Sequence, residues 1–154
     1  MTVDPVRVVA DADVLAADLL VGGPDREALD ALRAHSWTTL VASDPLLDDA
    51  EAVIAALGDD ALATDWRARI ADWATIVDHP PEDHPALSCA VHGEAAHILT
   101  HDPALTSAET GARLHRLETS AKPPAAFARR FDPATLYAAT VGGEYPGPDR
   151  DPRA

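Results

Sequence analysis

The chain has 154 residues, 47% of them hydrophobic and 25% charged. It is long enough for one domain with a buried core, and too apolar for a disordered chain. No apolar run reaches the roughly 18 residues that a membrane span needs. The start, Met1-Thr2-Val3-Asp4-Pro5, lacks a basic segment followed by an apolar stretch, so no signal peptide is expected. Cys89 is the single cysteine, which excludes an internal disulfide and suits a reducing cytoplasm.

In chain order, residues 7–10 form a short apolar run ending in Asp11 and read as a buried first strand. Residues 13–21 turn helical, and Gly22-Gly23 stops them. Pro24-Asp25-Arg26-Glu27 opens a second helix to about residue 34, with Leu29 and Leu32 on one face. Residues 37–42, rich in Thr and Val, suit a strand. Ser43-Asp44-Pro45 sets a capping side chain before a proline and starts a helix that Gly58 ends. Residues 60–77 predict a further helix, with Leu62, Trp66, Ile70 and Trp73 toward the core.

His79-Pro80-Pro81-Glu82 is a break, and Asp83-His84-Pro85 begins a helix to about Gly93. Residues 96–100 read as the next strand, and Asp102-Pro103 starts a short helix or turn. Residues 114–119 alternate and suit an edge-side strand. Lys122-Pro123-Pro124 opens a helix to Phe131, and Asp132-Pro133 opens the last, to about Thr140. The domain is therefore expected over 1–141. A tail rich in Gly, Pro and charge follows over 142–154, packed loosely with Tyr145 as its contact. There is no internal repeat.

Strands alternating with helical patterns predict an α/β fold: a three-layer α/β/α sandwich with a central, mostly parallel sheet. Ligands of such sheets sit beyond the carboxyl ends of the strands. The first strand ends at Asp11 and the later one at Thr100-His101-Asp102, so two acids about ninety positions apart arrive at one edge.

With that placement, most of residues 7 to 131 resembles the PIN domain family. The pieces are Val8-Val9-Ala10-Asp11-Ala12-Asp13, an acid in a middle helix after Val41-Ala42-Ser43, then Asp83-His84-Pro85-Ala86-Leu87-Ser88-Cys89-Ala90, and Ile98-Leu99-Thr100-His101-Asp102. For the middle acid, spacing favours Asp49, with Asp48 and Glu51 as alternatives. The resemblance implies a metal-dependent ribonuclease, either a toxin with an antitoxin-like partner or an RNA-processing enzyme, and a homodimer. It implies Asp11, Asp49, Asp83 and Asp102 as catalytic carboxylates holding Mg²⁺ or Mn²⁺. Asp13, Ser43 and Thr100 would stand behind them or touch phosphate. Hydrolysing a phosphodiester requires an activated water and compensation of charge on the phosphate, and paired hard cations on oxygen ligands supply both.

Each residue also has a structural reading. Asp102 before Pro103 is a normal helix cap, a device repeated at Asp44-Pro45 and Asp132-Pro133, and Asp83 can cap its own helix. Asp48, Asp49 and Glu51 can be solvated surface. Asp11 is harder to explain away, because an acid directly after a buried strand has little structural use. His79, His84, His92, His97 and His101 crowd one region. His97 and His101 read as strand positions about 13 Å apart, which disfavours zinc. Arg129-Arg130 reads as an exposed helix face rather than a phosphate contact.

Asp plus Glu number 26 against 12 Lys plus Arg, for a net charge of −14, and Lys122 is the only lysine. The composition resembles proteins of salt-accumulating archaea. In molar salt the Debye length falls to about 3 Å, so repulsion between an acidic protein and phosphate largely disappears. Two other functions compete with the nuclease: a binding or assembly module of the same fold without turnover, and an unrelated acidic α/β protein whose Asp residues are caps.

Overall fold

The computed structural model describes residues 3–81 and 84–153. Strand β1 (Asp4–Ala10) leads into helix α1 (Ala12–Leu20). The turn into α2 (Gly23–Arg33) needs positive φ at two successive residues, +89° at Gly22 and +61° at Gly23, a region that glycine enters without a Cβ clash. Strand β2 (Thr39–Ala42) and helices α3 (Asp44–Leu57) and α4 (Asp60–Trp73) follow, then strand β3 (Thr75–Ile76). The second half comprises α5 (Pro85–His92), β4 (Ala95–Leu99), α6 (Pro103–Thr106), α7 (Ala108–Arg116), β5 (Ser120–Lys122), α8 (Pro124–Arg130) and α9 (Pro133–Thr140).

Among the described residues, five strands form one sheet in the order β3-β2-β1-β4-β5, every pair parallel, flanked by nine helices as a three-layer sandwich. Covering both faces explains why Val8, Val9, Leu40, Val41, Ile98 and Leu99 are all buried rather than alternating with polar residues. Helix α5 packs on β1, β2 and β4, whereas α9 packs on β1, and α8 on α2. From β1 the chain moves outward to β2 and β3. It then returns to place β4 on the other side of β1, so the order reverses between β1 and β4. That reversal opens a crevice at the carboxyl ends of these two strands.

The observed elements correct three expectations. The helix expected over 60–77 ends at Trp73, since Ala74 is extended and Thr75-Ile76 pair with Val41-Ala42 as an edge strand. The strand expected over 114–119 is the last turn of α7 and the turn that follows it: only Leu114 of that helix is buried, and Leu117 is 45% exposed. The edge strand comes immediately after, where Ser120, Ala121 and Lys122 pair with His97, Ile98 and Leu99. The strand expected over 37–42 begins at Thr39, because the Thr38 hydroxyl turns back to donate to the carbonyls of Leu32 and His35.

Candidate functional site

Asp11 stands where β1 passes into α1. Its backbone N–H donates to the Leu99 carbonyl at 2.8 Å, which fixes it beside the end of β4. Its Oδ1 accepts from the Ala12 N–H at 2.8 Å, capping α1, and its Oδ2 accepts from the Thr100 hydroxyl at 2.7 Å. Thr100 is fully buried, and its Oγ1 also accepts from the Asp102 N–H at 3.0 Å. One threonine hydroxyl therefore ties the carboxylate leaving β1 to the backbone of the acid following β4. Asp102 caps α6 through an Oδ1 contact with the Ala104 N–H at 2.9 Å, while its Oδ2 lies 3.7 Å from His84 Nδ1.

Asp13 joins from the first turn of α1. Its Oδ1 accepts from the Val14 N–H and its Oδ2 from the His101 N–H at 3.2 Å. Loss of solvent around the carboxyl and, second, the neighbouring Asp11 charge push the Asp13 pKa upward, against the pull of those two backbone donors. Asp13 nevertheless keeps an exposed outer side.

Asp11, Asp13 and Asp102 all line one cleft of about 460 Å³. Its other wall is apolar, built by Val21 from the end of α1 and by Val53 and Leu57 from α3. Asp49 precedes Val53 and Leu57 at four-residue steps, so it lies on the same face of α3, one turn nearer that helix's start. It is exposed and does not line the cleft. The other middle-helix acids face elsewhere: Arg67 binds Asp48 at 2.8 Å, Asp44 at 3.2 Å and Glu51 at 3.3 Å. Asp83 lies outside the described residues.

Ser43 is fully buried. It caps α3 by accepting from the Leu46 N–H, and it contacts His79 Nε2 at 2.7 Å. No open surface reaches its hydroxyl. Cys89 is buried as well, and desolvation pushes its thiol up to about 12, which makes it an inert core residue.

Of the crowded histidines, His79 and His92 lie beside each other with ring centroids 6.2 Å apart, and His97 and His101 have separate partners. His97 contacts Lys122 Nζ at 2.9 Å and packs edge-on against Phe127, whereas His101 Nε2 meets the buried carboxylate of Asp25 at 2.7 Å. The His101–Asp25 pair and the approach of His84 to Asp102 carry no signal in the sequence. Asp25 reads there as an ordinary first-turn acid, and only the folded crossing of α2 over the β4 end brings it to His101.

Among the described residues, no three His, Cys, Asp or Glu side chains stand grouped as a preformed metal cage. The carboxylates of Asp11, Asp13 and Asp102 on the cleft nonetheless offer oxygens, the ligands that hard divalent cations select. Mg²⁺ in particular is commonly held by one or two carboxylates, with water and substrate phosphate completing its octahedron.

A family model matches residues 2–153 of the chain, and its description is "Family of unknown function (DUF7384)". That match corrects the PIN resemblance: the pieces that carried it occur here in a chain whose family is a different one. No curated protein and no solved structure matches the chain.

Proposed function

This chain belongs to the DUF7384 family, whose function is unknown, and on that premise we propose that it hydrolyses phosphodiester bonds with the help of Mg²⁺ or Mn²⁺, RNA being the substrate put to the test. The observation that carries this reading is the meeting of Asp11, Asp13 and Asp102 on one cleft at the point where the strand order reverses. Asp11 and Asp102 would hold the cation, which when bound lowers the pKa of a water and offsets phosphate charge. Asp13 adds a third carboxylate to the same cleft, beside Asp11 and Asp102. Thr100 acts through Asp11 and Asp102 by setting their spacing. Among the described residues the cleft lining holds no Lys or Arg, so a phosphate would meet its countercharge only in the cation. An antitoxin-like partner and a homodimer rested on the corrected resemblance and have no support of their own. Among the described residues, no helix is long and apolar enough to cross a membrane.

A second reading, a binding module without turnover, is favoured by the cleft's apolar wall: Val21 is 79% and Leu57 75% exposed. Cleavage of single-stranded RNA with Mn²⁺ separates the two readings. On the hydrolase reading the wild type cleaves, and Asp11→Asn and Asp102→Asn each slow it by at least about 100-fold. Intact RNA with the wild type, or equal rates in all three proteins, refutes hydrolysis at this site.

A further inference from the structure

A second cleft, of about 520 Å³, lies apart from the acidic one. It lies toward the edge where the strands begin, since Trp73 ends the helix two residues before β3 and Arg33 closes the helix before β2. The C-terminal tail forms its outer wall. Asp149 holds that tail in place: its N–H donates to the Ala34 carbonyl at 2.9 Å, and its Oδ1 accepts from the Ser36 N–H at 2.8 Å.

The lining departs from the rest of the surface. In a chain of net charge −14 it gathers four of the eleven arginines, Arg33, Arg69, Arg150 and Arg153, against two acids, Asp18 and Asp151, beside buried Trp66 and half-buried Trp73. Arg33 is committed to the fold: it pairs with the buried carboxylate of Asp18 and with Asp30, and its guanidinium stacks over Trp73 at 4.8 Å. The other three remain open to a ligand. Arg69 pairs only with exposed Asp65, and Arg153 reaches Asp30 at 3.3 Å from a largely exposed position, pairings that solvent renders weak. Arg150 makes no ion pair with any described residue.

The geometry points to this cleft as a binding site for a nucleotide, its phosphate held by Arg150, Arg153 and Arg69 and its base packed beside half-buried Trp73, on the part of the indole that Arg33 leaves open. Guanidinium forks match phosphate oxygens in shape and charge, and an indole offers a stacking surface to any base. The volume falls within the range of small-molecule sites. The same chemistry serves a free nucleotide and the end of a single RNA strand. The site stands apart from the hydrolase reading, because neither Asp11 nor Asp102 lines it.

Calorimetric titration of the full-length protein in EDTA, with tryptophan fluorescence as a second readout, tests it. The probes are AMP, a single-stranded oligoadenylate, inorganic phosphate and adenosine. The Arg150→Gln/Arg153→Gln double variant replaces exposed side chains, and an unchanged melting temperature shows that it folds. The expected result is binding of AMP, of the oligoadenylate, or of both, at least about tenfold tighter than phosphate or adenosine alone. That binding weakens at least tenfold in the double variant and stays unchanged in Asp11→Asn/Asp102→Asn. Tight AMP binding marks a free-nucleotide site, and binding of the oligoadenylate alone marks an RNA end. Three results would each overturn the assignment: no binding of either nucleotide probe, phosphate binding as tightly as AMP, or equal affinity in the arginine variant. Intact RNA with the wild type, together with nucleotide binding, would leave this inference standing and the hydrolase reading refuted.

Discussion

Thr100 concentrates more of the site's geometry than any other single side chain. Its buried hydroxyl donates to Asp11 and accepts from the backbone N–H of Asp102, so Thr100→Val keeps the shape and removes both contacts. RNA cleavage should fall about 10- to 100-fold in that variant, as it does when groups supporting metal ligands are lost. Wild-type activity would mean that the spacing of the two acids is set elsewhere. Asp13 gives a prediction in pH. Its folded pKa is raised, so the folded state holds that proton more tightly than the unfolded chain does. Stability therefore declines as pH rises from the ordinary carboxylate value through the raised one. Asp13→Asn removes the charge and keeps an accepting oxygen for only one of the Val14 and His101 N–H groups. Its melting temperature relative to the wild type should therefore rise between pH 3 and pH 7; an equal difference at both pH values contradicts this. His97 titrates in the opposite sense. Burial and, second, the Lys122 charge push it down to about 4. The unfolded chain then takes up a proton between about pH 6.5 and 4 that the folded one refuses, and stability drains away over that window. The imidazole signal of His97 should hold its neutral position down to about pH 5 in an NMR titration, and a midpoint near 6.5 would show that the ring is solvated.

At the scale of the elements, the turn from α5 into β4 is set by close packing. A Cβ on Gly93 would stand 2.5 Å from Val41 Cγ1 and 2.9 Å from the Cys89 carbonyl. Gly93→Ala should cost about 1–3 kcal/mol, since neither the buried strand nor the helix backbone can yield. Gly111, inside α7 with nothing within 4 Å, gives the contrast: Gly111→Ala should stabilise by about 0.5–1 kcal/mol. Denaturant midpoints of the two variants check both signs. Much of the helical order was legible because the caps are explicit: Asp11, Ser43, Asp102 and Asp132 each accept from their own helix's first-turn N–H groups. The edge strands were not legible, because they are made by pairing rather than by local preference. Ser120-Ala121-Lys122 has little strand propensity and is extended only because β4 lies beside it, and β3 is two exposed residues long. The alternation over 114–119 was a helical face sampled too briefly for its period to show.

Across the whole molecule, the sequence revealed the sheet edge at which distant acids meet but not what surrounds them. Asp11 was singled out as an acid with little structural use after a buried run, yet its Oδ1 caps α1, so that argument does not by itself separate cap from ligand. The walls from Val53 and Leu57, and the arginine-rich cleft at the other edge, arise from helix crossings that no spacing encodes. The order of motifs was a sound guide to architecture and a poor one to kinship, since chains of different families can build the same acidic strand ends. The charge of −14 acts on the molecule as a whole. Self-repulsion should be relieved by screening, so the melting temperature should climb between about 0.1 and 1 M KCl; a flat or falling curve would show that local pairs such as Arg67 with its three acids already absorb the excess. On the proposed reading, Asp11 and Asp102 share one cation site. Counting bound Mn²⁺ by electron paramagnetic resonance tests it most directly. Wild-type protein should take up Mn²⁺ with an affinity that Asp11→Asn/Asp102→Asn lowers at least about tenfold, and equal uptake by the two proteins would contradict the account.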